Sequence, residues 1–273
     1  MLKALKQARS AVGMLNPDEV GRRARQPVRI GLVAFDGAGY AAMEEFLAPA
    51  LDQVYRAGDP GVPDKVDLVL YQQGIACPQD AYVLRFDDPA ATVAEILRDH
   101  DDLELALARQ FAPFRKPVVE GIIHAVSREN AVFAVATALP NLVPSLGELP
   151  WAFGEFASDT AFLTANQVRM AFLIAAACGK EVGYSQRAAE ILSIAAGAFG
   201  WRALARELAG KIPFGAGIIP KGAIAYAGTF VVGKGLEHFH HAGKAFTRTQ
   251  REEVYQAAFE RGKAIVEAVR GKL

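Results

Sequence analysis

The spacing of apolar residues changes twice along this chain, and those changes divide it. Leu2, Leu5, Ala8, Val12 and Leu15 recur at helical intervals with Lys3, Lys6 and Arg9 beside them, which predicts a basic amphipathic helix over residues 1–15. Asn16-Pro17-Asp18-Glu19 predicts a second helix start, with Asn as cap, proline at the first helical position and acids in the first turn. That helix carries Arg22, Arg23 and Arg25 and stops before Pro27.

The period then shortens. Val28 to Phe35 (VRIGLVAF) is a short, apolar, partly β-branched run and reads as a buried strand. Asp36-Gly37-Ala38-Gly39 reads as a turn. Tyr40 to Tyr55 reads as a helix with Met43, Phe46, Leu47, Leu51 and Val54 on its apolar face. Val66 to Tyr71 and Tyr82 to Phe86 read as two further strands around the polar loop QQGIACPQD, and Asp88 can cap a helix beginning at Pro89. Helix signals continue from Leu103 and break near Pro113 and Pro117.

From Val118 the pattern is helical only. Helices are expected over 118–138, ended by Pro140 and Pro144; over 148–178, bent near Gly154 with Gly179 as C-cap; over 185–201 and 202–209; and over 249–269. Between the last two lies a glycine- and alanine-rich stretch, 211–241. Gly215, Gly217, Gly222, Ala223, Ala225, Ala227, Gly228 and Gly233 would let helix backbones approach closely, while Pro213 and Pro220 divide it into a short element, a turn and a helix. The expected fold is therefore α+β: a basic helical segment (1–27), a small α/β unit of about three strands (28–115), and an all-helical bundle (116–273).

Composition narrows the function. Thirty basic and 30 acidic residues give 273 residues a formal net charge of zero, which disfavours bulk nucleic-acid binding. Cys77 and Cys178 stand far apart in no metal-type spacing, as expected of a reduced compartment, and no secretory-signal pattern opens the chain. The run from Asn130 to Gly147 nears membrane-spanning length but contains Pro140 and Pro144; that from Ile212 to Gly233 is interrupted by Lys221 and two prolines. The expected location is cytoplasmic, with membrane association left open.

Strand, glycine turn and helix form the setting of a phosphate-binding loop. A Walker A loop reads GxxxxGK[ST]: glycines let amides point at phosphate, lysine neutralises the outer phosphates, and the hydroxyl holds magnesium. In that register the chain offers Ala34, Phe35, Asp36, Gly37, Ala38, Gly39, Tyr40 and Ala41. Only Gly39 matches. Tyr40 stands for the lysine, Ala41 for the hydroxyl residue, and Asp36 adds a negative charge. No neighbouring Lys or Arg in the sequence replaces the lost cation. The reading is a degenerate phosphate-loop turn (Asp36, Gly37, Gly39, Tyr40) without cofactor; a plain tight turn needing glycine is the other reading. His238, His240 and His241 follow Glu237, and His124 could join from another helix, but adjacent histidines on a helix diverge, so they are weak metal candidates. No nucleophile–base pair stands out.

A set of residues links the second half to a known family: Ala138-Leu139-Pro140 with Pro144; Gln167-Val168-Arg169-Met170 followed by Ala176-Ala177-Cys178-Gly179; Ile212-Pro213 with Gly215 and Gly217; and Lys221, Ala225-Tyr226, Thr229, Gly233 and Gly243. With these, the segment from about Val118 to Gly243 resembles the domain of unknown function 697 family. The resemblance implies a helical domain that often follows an Era-like GTPase domain and is commonly associated with membranes. It would make the N-terminal unit a shortened, degenerate relative of such a GTPase domain, and it transfers no catalytic residues. The expected function is that of a non-enzymatic interaction or scaffold protein acting on a protein partner or a membrane surface. A homo-oligomer through residues 211–235 is one form this could take. An atypical nucleotide-binding regulator and a small multi-pass membrane protein are the alternatives.

Overall fold

A computed structural model describes residues 16–60, 62–138, 159–196 and 218–270. The fold is α+β: among the described residues, one small parallel sheet lies near the N-terminus and the elements after it are helices. The chain divides into two compact units, one of residues 18–120 and 175–181, the other of 121–174 and 182–273.

In the α/β unit, helix α1 (Pro17–Arg25) precedes β1 (Ile30–Val33), α2 (Gly37–Leu47), β2 (Val54–Arg56), β3 (Leu68–Gln72), β4 (Tyr82–Leu84), α3 (Pro89–Asp99) and α4 (Glu104–Gln110). The sheet order is β2-β1-β3-β4 and every neighbouring pair is parallel. Ile30 lies beside Val54 and Leu68, and Leu70 beside Tyr82. Ile30, Leu32, Leu70, Leu84, Met43, Leu47, Phe111 and Phe114 are wholly buried between sheet and helices. Each such side chain contributes roughly 1.5–3 kcal/mol by leaving water, against about 0–1 kcal/mol for an exposed ion pair, so the apolar seam holds this unit together.

About three strands were expected, and four are present among the described residues. The helix expected over Tyr40 to Tyr55 ends at Leu47, because the residue before Pro49 is pushed out of helical geometry: Ala48 has ψ 149°. A single turn, Leu51–Gln53, follows, and Val54-Tyr55-Arg56, two of them good strand formers, pair with β1. The break expected at Pro113 and Pro117 falls instead at Phe111, which is extended and wholly buried. Helix α5 (Ala112–Ala138) starts directly after it. Pro113 sits in the first turn, where its missing amide costs nothing, and Pro117 forgoes one helical hydrogen bond without ending the helix.

The helical unit contains the greater part of α5 and most of α6 (Asp159–Ala177), with α7 (Ala188–Ala196), α8 (Ile218–Ala242) and α9 (Arg248–Arg270). The expected helices over 202–209 and the bend at Gly154 lie outside the described residues. Gly179 does close α6: at φ +74° it lets Lys180 N–H reach the Ala175 carbonyl at 2.8 Å. The small residues of α8 are spent inside the chain. A Cβ on Gly222 would stand 2.5 Å from Val266 and 2.9 Å from Val135, and one on Gly233 2.7 Å from Ile123. On α9, a Cβ on Gly262 would meet the Ala223 backbone at 3.0 Å. Gly262 thus lets α9 approach the α8 backbone, while Gly222 and Gly233 make room on α8 for side chains of its neighbours.

A polar junction crosses this core. Asn130 Nδ2 on α5 donates to the Thr229 hydroxyl on α8 at 2.8 Å, and Asn166 Nδ2 on α6 donates to the Asn130 side-chain oxygen Oδ1 at 2.9 Å. Gln167 donates to the same Thr229 hydroxyl at 3.4 Å. All four are buried. Beside them Glu129 is paired with Arg169; burial raises the Glu129 pKa, with the guanidinium opposing, and burial lowers that of Arg169. Gln167, Arg169, Thr229 and Gly233 are thus helix-packing residues. Among the described residues, no helix is long and apolar enough to cross a membrane.

Candidate functional site

In open parallel sheets ligands bind beyond the carboxyl ends of the strands, where the strand order reverses; here that point lies between β1 and β3. The residues that meet there are the turn Ala34–Gly39 after β1, and Gln72 with the loop after β3.

The turn is built by its own side chain. Asp36 is extended, its Oδ1 accepts a 2.8 Å hydrogen bond from the Gly39 amide, and its carbonyl accepts from the Tyr40 amide at 3.1 Å. This is an N-cap, and it puts a carboxylate on the Gly39 amide, which a bound phosphate would otherwise take. Gln72 closes the turn from the other strand. Its Oε1 accepts from the Phe35 amide at 3.0 Å, and a Cβ on Gly39 would lie 2.2 Å from that oxygen. Gly39 thus leaves the room that the end of the Gln72 side chain occupies, and a Cβ there would displace it.

A cation from the neighbouring strand does stand near Tyr40. The Arg56 guanidinium lies 5.3 Å above the Tyr40 ring. It is committed to Glu44, with Nε and Nη2 donating to the two carboxylate oxygens at 2.6 and 2.8 Å. That bidentate bond holds the Glu44 carboxyl below its ordinary range and raises Arg56. Tyr40 thus sits beside an arginine whose charge is already matched. Arg56 and Gln72 escaped sequence reading because one lies on the unexpected strand β2 and the other in a stretch read as loop.

Asp36, Gly37, Gly39 and Tyr40 do come together, as one turn. The histidines do not. The His238 ring packs on Phe246 at 4.7 Å, and His240, its side chain nearly buried, stands 3.7 Å from Glu190 on α7. His241 is exposed. His124 Nδ1 lies 2.7 Å from the Tyr226 hydroxyl and its Nε2 3.1 Å from Arg261. Since arginine only donates, Nε2 is the acceptor there, which leaves the ring proton on Nδ1. Among the described residues, no three His, Cys, Asp or Glu side chains are grouped to hold a metal. No protein-family model, curated protein or solved structure matches this chain.

Proposed function

We propose that this chain is a non-enzymatic interaction protein whose α/β unit has surrendered its phosphate-binding position to one of its own carboxylates. The observation that supports this most directly is the Asp36 carboxylate on the Gly39 amide at the start of α2. A second anion at that place meets a like charge and a helix terminus already capped. The nearby Arg56 offers little relief, because releasing it would strip Glu44 of its partner. What remains at the carboxyl edge is a fixed surface carrying exposed Phe35 and Phe86. On this reading the helical unit is a rigid body stitched by its small residues and its polar junction, and the resemblance to the domain of unknown function 697 family accords with a supporting role of this kind.

The test is a titration of the full chain with fluorescent GTP and ATP analogues in the presence of magnesium. No saturable binding is expected. Saturable binding that Gly39→Trp abolishes would instead make the chain an atypical nucleotide-binding regulator.

A further inference from the structure

We propose that His124 is a proton-operated latch: a proton taken up at Nε2 breaks its contact with Arg261 on α9 and spares its bond to Tyr226 on α8, so that acid loosens the last helix alone. Three helices meet at this ring. Nδ1 lies 2.7 Å from the Tyr226 hydroxyl and Nε2 3.1 Å from Arg261 Nη1. The two contacts differ in kind. Nδ1 already bears the ring proton, so its donation to Tyr226 survives when the ring becomes charged. Nε2 is an acceptor. A proton placed there meets a guanidinium that can only donate, and sets two positive charges 3.1 Å apart. Tyr226 is wholly buried, and burial raises its phenol pKa, with Arg261 opposing, so the hydroxyl stays neutral through this change.

The other charges around the ring leave Arg261 in control. On α5, Glu120 lies one turn before His124 and favours a charged ring; Arg128 lies one turn after it and opposes, so the two offset each other. On α8, Tyr226 and Phe230 pack on the ring, and Lys234, a turn beyond Phe230, is paired with Glu237 at 2.5 Å. On α9, Glu260 is paired with Lys263 at 2.6 Å. Arg261 is exposed, which puts the contact within reach of solvent protons. It also adjoins Gly262, where a Cβ would meet the Ala223 backbone at 3.0 Å, so the latch sits beside a close approach of α9 to α8. The contact is whole above the usual imidazole value of about 6.5 and is lost as pH falls through the folded-state value.

The experiment takes the full chain from about pH 8 to about pH 5 with two readouts: the imidazole resonances of 15N-histidine, and hydrogen-exchange protection corrected for the intrinsic rate. His124, identified by the peak lost in His124→Gln, should titrate below about 6.5 with Nδ1 protonated throughout. Protection along α9 should fall roughly three- to tenfold over that range while amides of α5 and α8 beside His124 and Tyr226 hold. Arg261→Gln keeps a donor without the charge, so the His124 titration should move up and the fall along α9 should shrink. If His124→Gln fails to fold, the exposed Arg261→Gln decides the matter, since the imidazole beside it is the one that should move. A His124 that titrates at or above about 6.5, a titration unmoved in Arg261→Gln, an equal fall along α8 or in Arg261→Gln, or α9 protection that holds while His124 titrates overturns the proposal.

Discussion

The carboxylate of Asp36 accepts the amide of Gly39 at 2.8 Å, so the first helix of the sheet begins on a charge that the chain itself supplies. That bond has a measurable worth. Asp36→Ala should lower unfolding free energy by about 1 kcal/mol, and Asp36→Asn by only a few tenths, read from urea midpoints at unchanged slope. Equal losses for both would mean that the side chain acts by something other than capping.

The junction between α5, α6 and α8 gives a second test. Thr229→Val leaves the Asn130 and Gln167 amides without their shared acceptor, and should cost about 1–3 kcal/mol despite conserving volume. A double-mutant cycle of Asn130→Ala with Thr229→Val should show coupling of about 0.5–3 kcal/mol; additive losses would say that the contact is idle.

Stability against pH separates two carboxylates. Glu44 is held below its ordinary value of 4.5 by hydrogen bonding to Arg56, so its contribution is present above that value and is lost as pH falls through the folded-state pKa. Glu104 is raised from 4.5, chiefly by burial, with Arg23 opposing and Asp101 adding. Its contribution is therefore present below 4.5 and lost as pH rises through the folded-state pKa. At neutral pH, Glu44→Gln should melt lower than the parent and Glu104→Gln higher, and both differences should shrink in acid. The Glu44 effect should stay below about 1 kcal/mol, since its ion pair is partly solvated.

Two helical glycines should respond with opposite signs. A Cβ on Gly262 meets the Ala223 backbone at 3.0 Å, whereas one on Gly121 meets nothing within 4 Å. Gly121→Ala should stabilise by up to about 1 kcal/mol through helix propensity. Gly262→Ala gains the same propensity but forces two backbones apart, which typically costs about 1–3 kcal/mol, so its thermal midpoint should fall.

Much of this fold was legible in the residues. Asp88 before Pro89 does cap α3, donating nothing and accepting the Ala91 amide at 3.2 Å, and Gly179 does end α6. These features are local: one side chain or one left-handed residue settles them. Strand β2 was not legible, because Leu51 and Val54 continued a helical period that Pro49 had already ended. The turn at Asp36 was legible as a tight glycine-containing turn between strand and helix, yet its partners were not. Arg56 and Gln72 reach it across the sheet, and pairing between distant strands leaves no periodic trace. In the described part of the small-residue stretch, Gly222 and Gly233 are at close contacts, as their size suggested; that these partners are α5 and α9 of the same chain depends on how the helices meet.

The most direct test of the account is an amide spectrum of the full chain labelled with 15N-glycine, titrated with magnesium GTP, the Gly39 peak being assigned by its loss in Gly39→Ala. The account predicts that the Gly37 and Gly39 peaks hold their positions throughout, because the amide at the helix start stays bonded to Asp36. A saturable shift of both peaks would contradict it, since phosphate would then be reaching a place that the carboxylate is held to occupy.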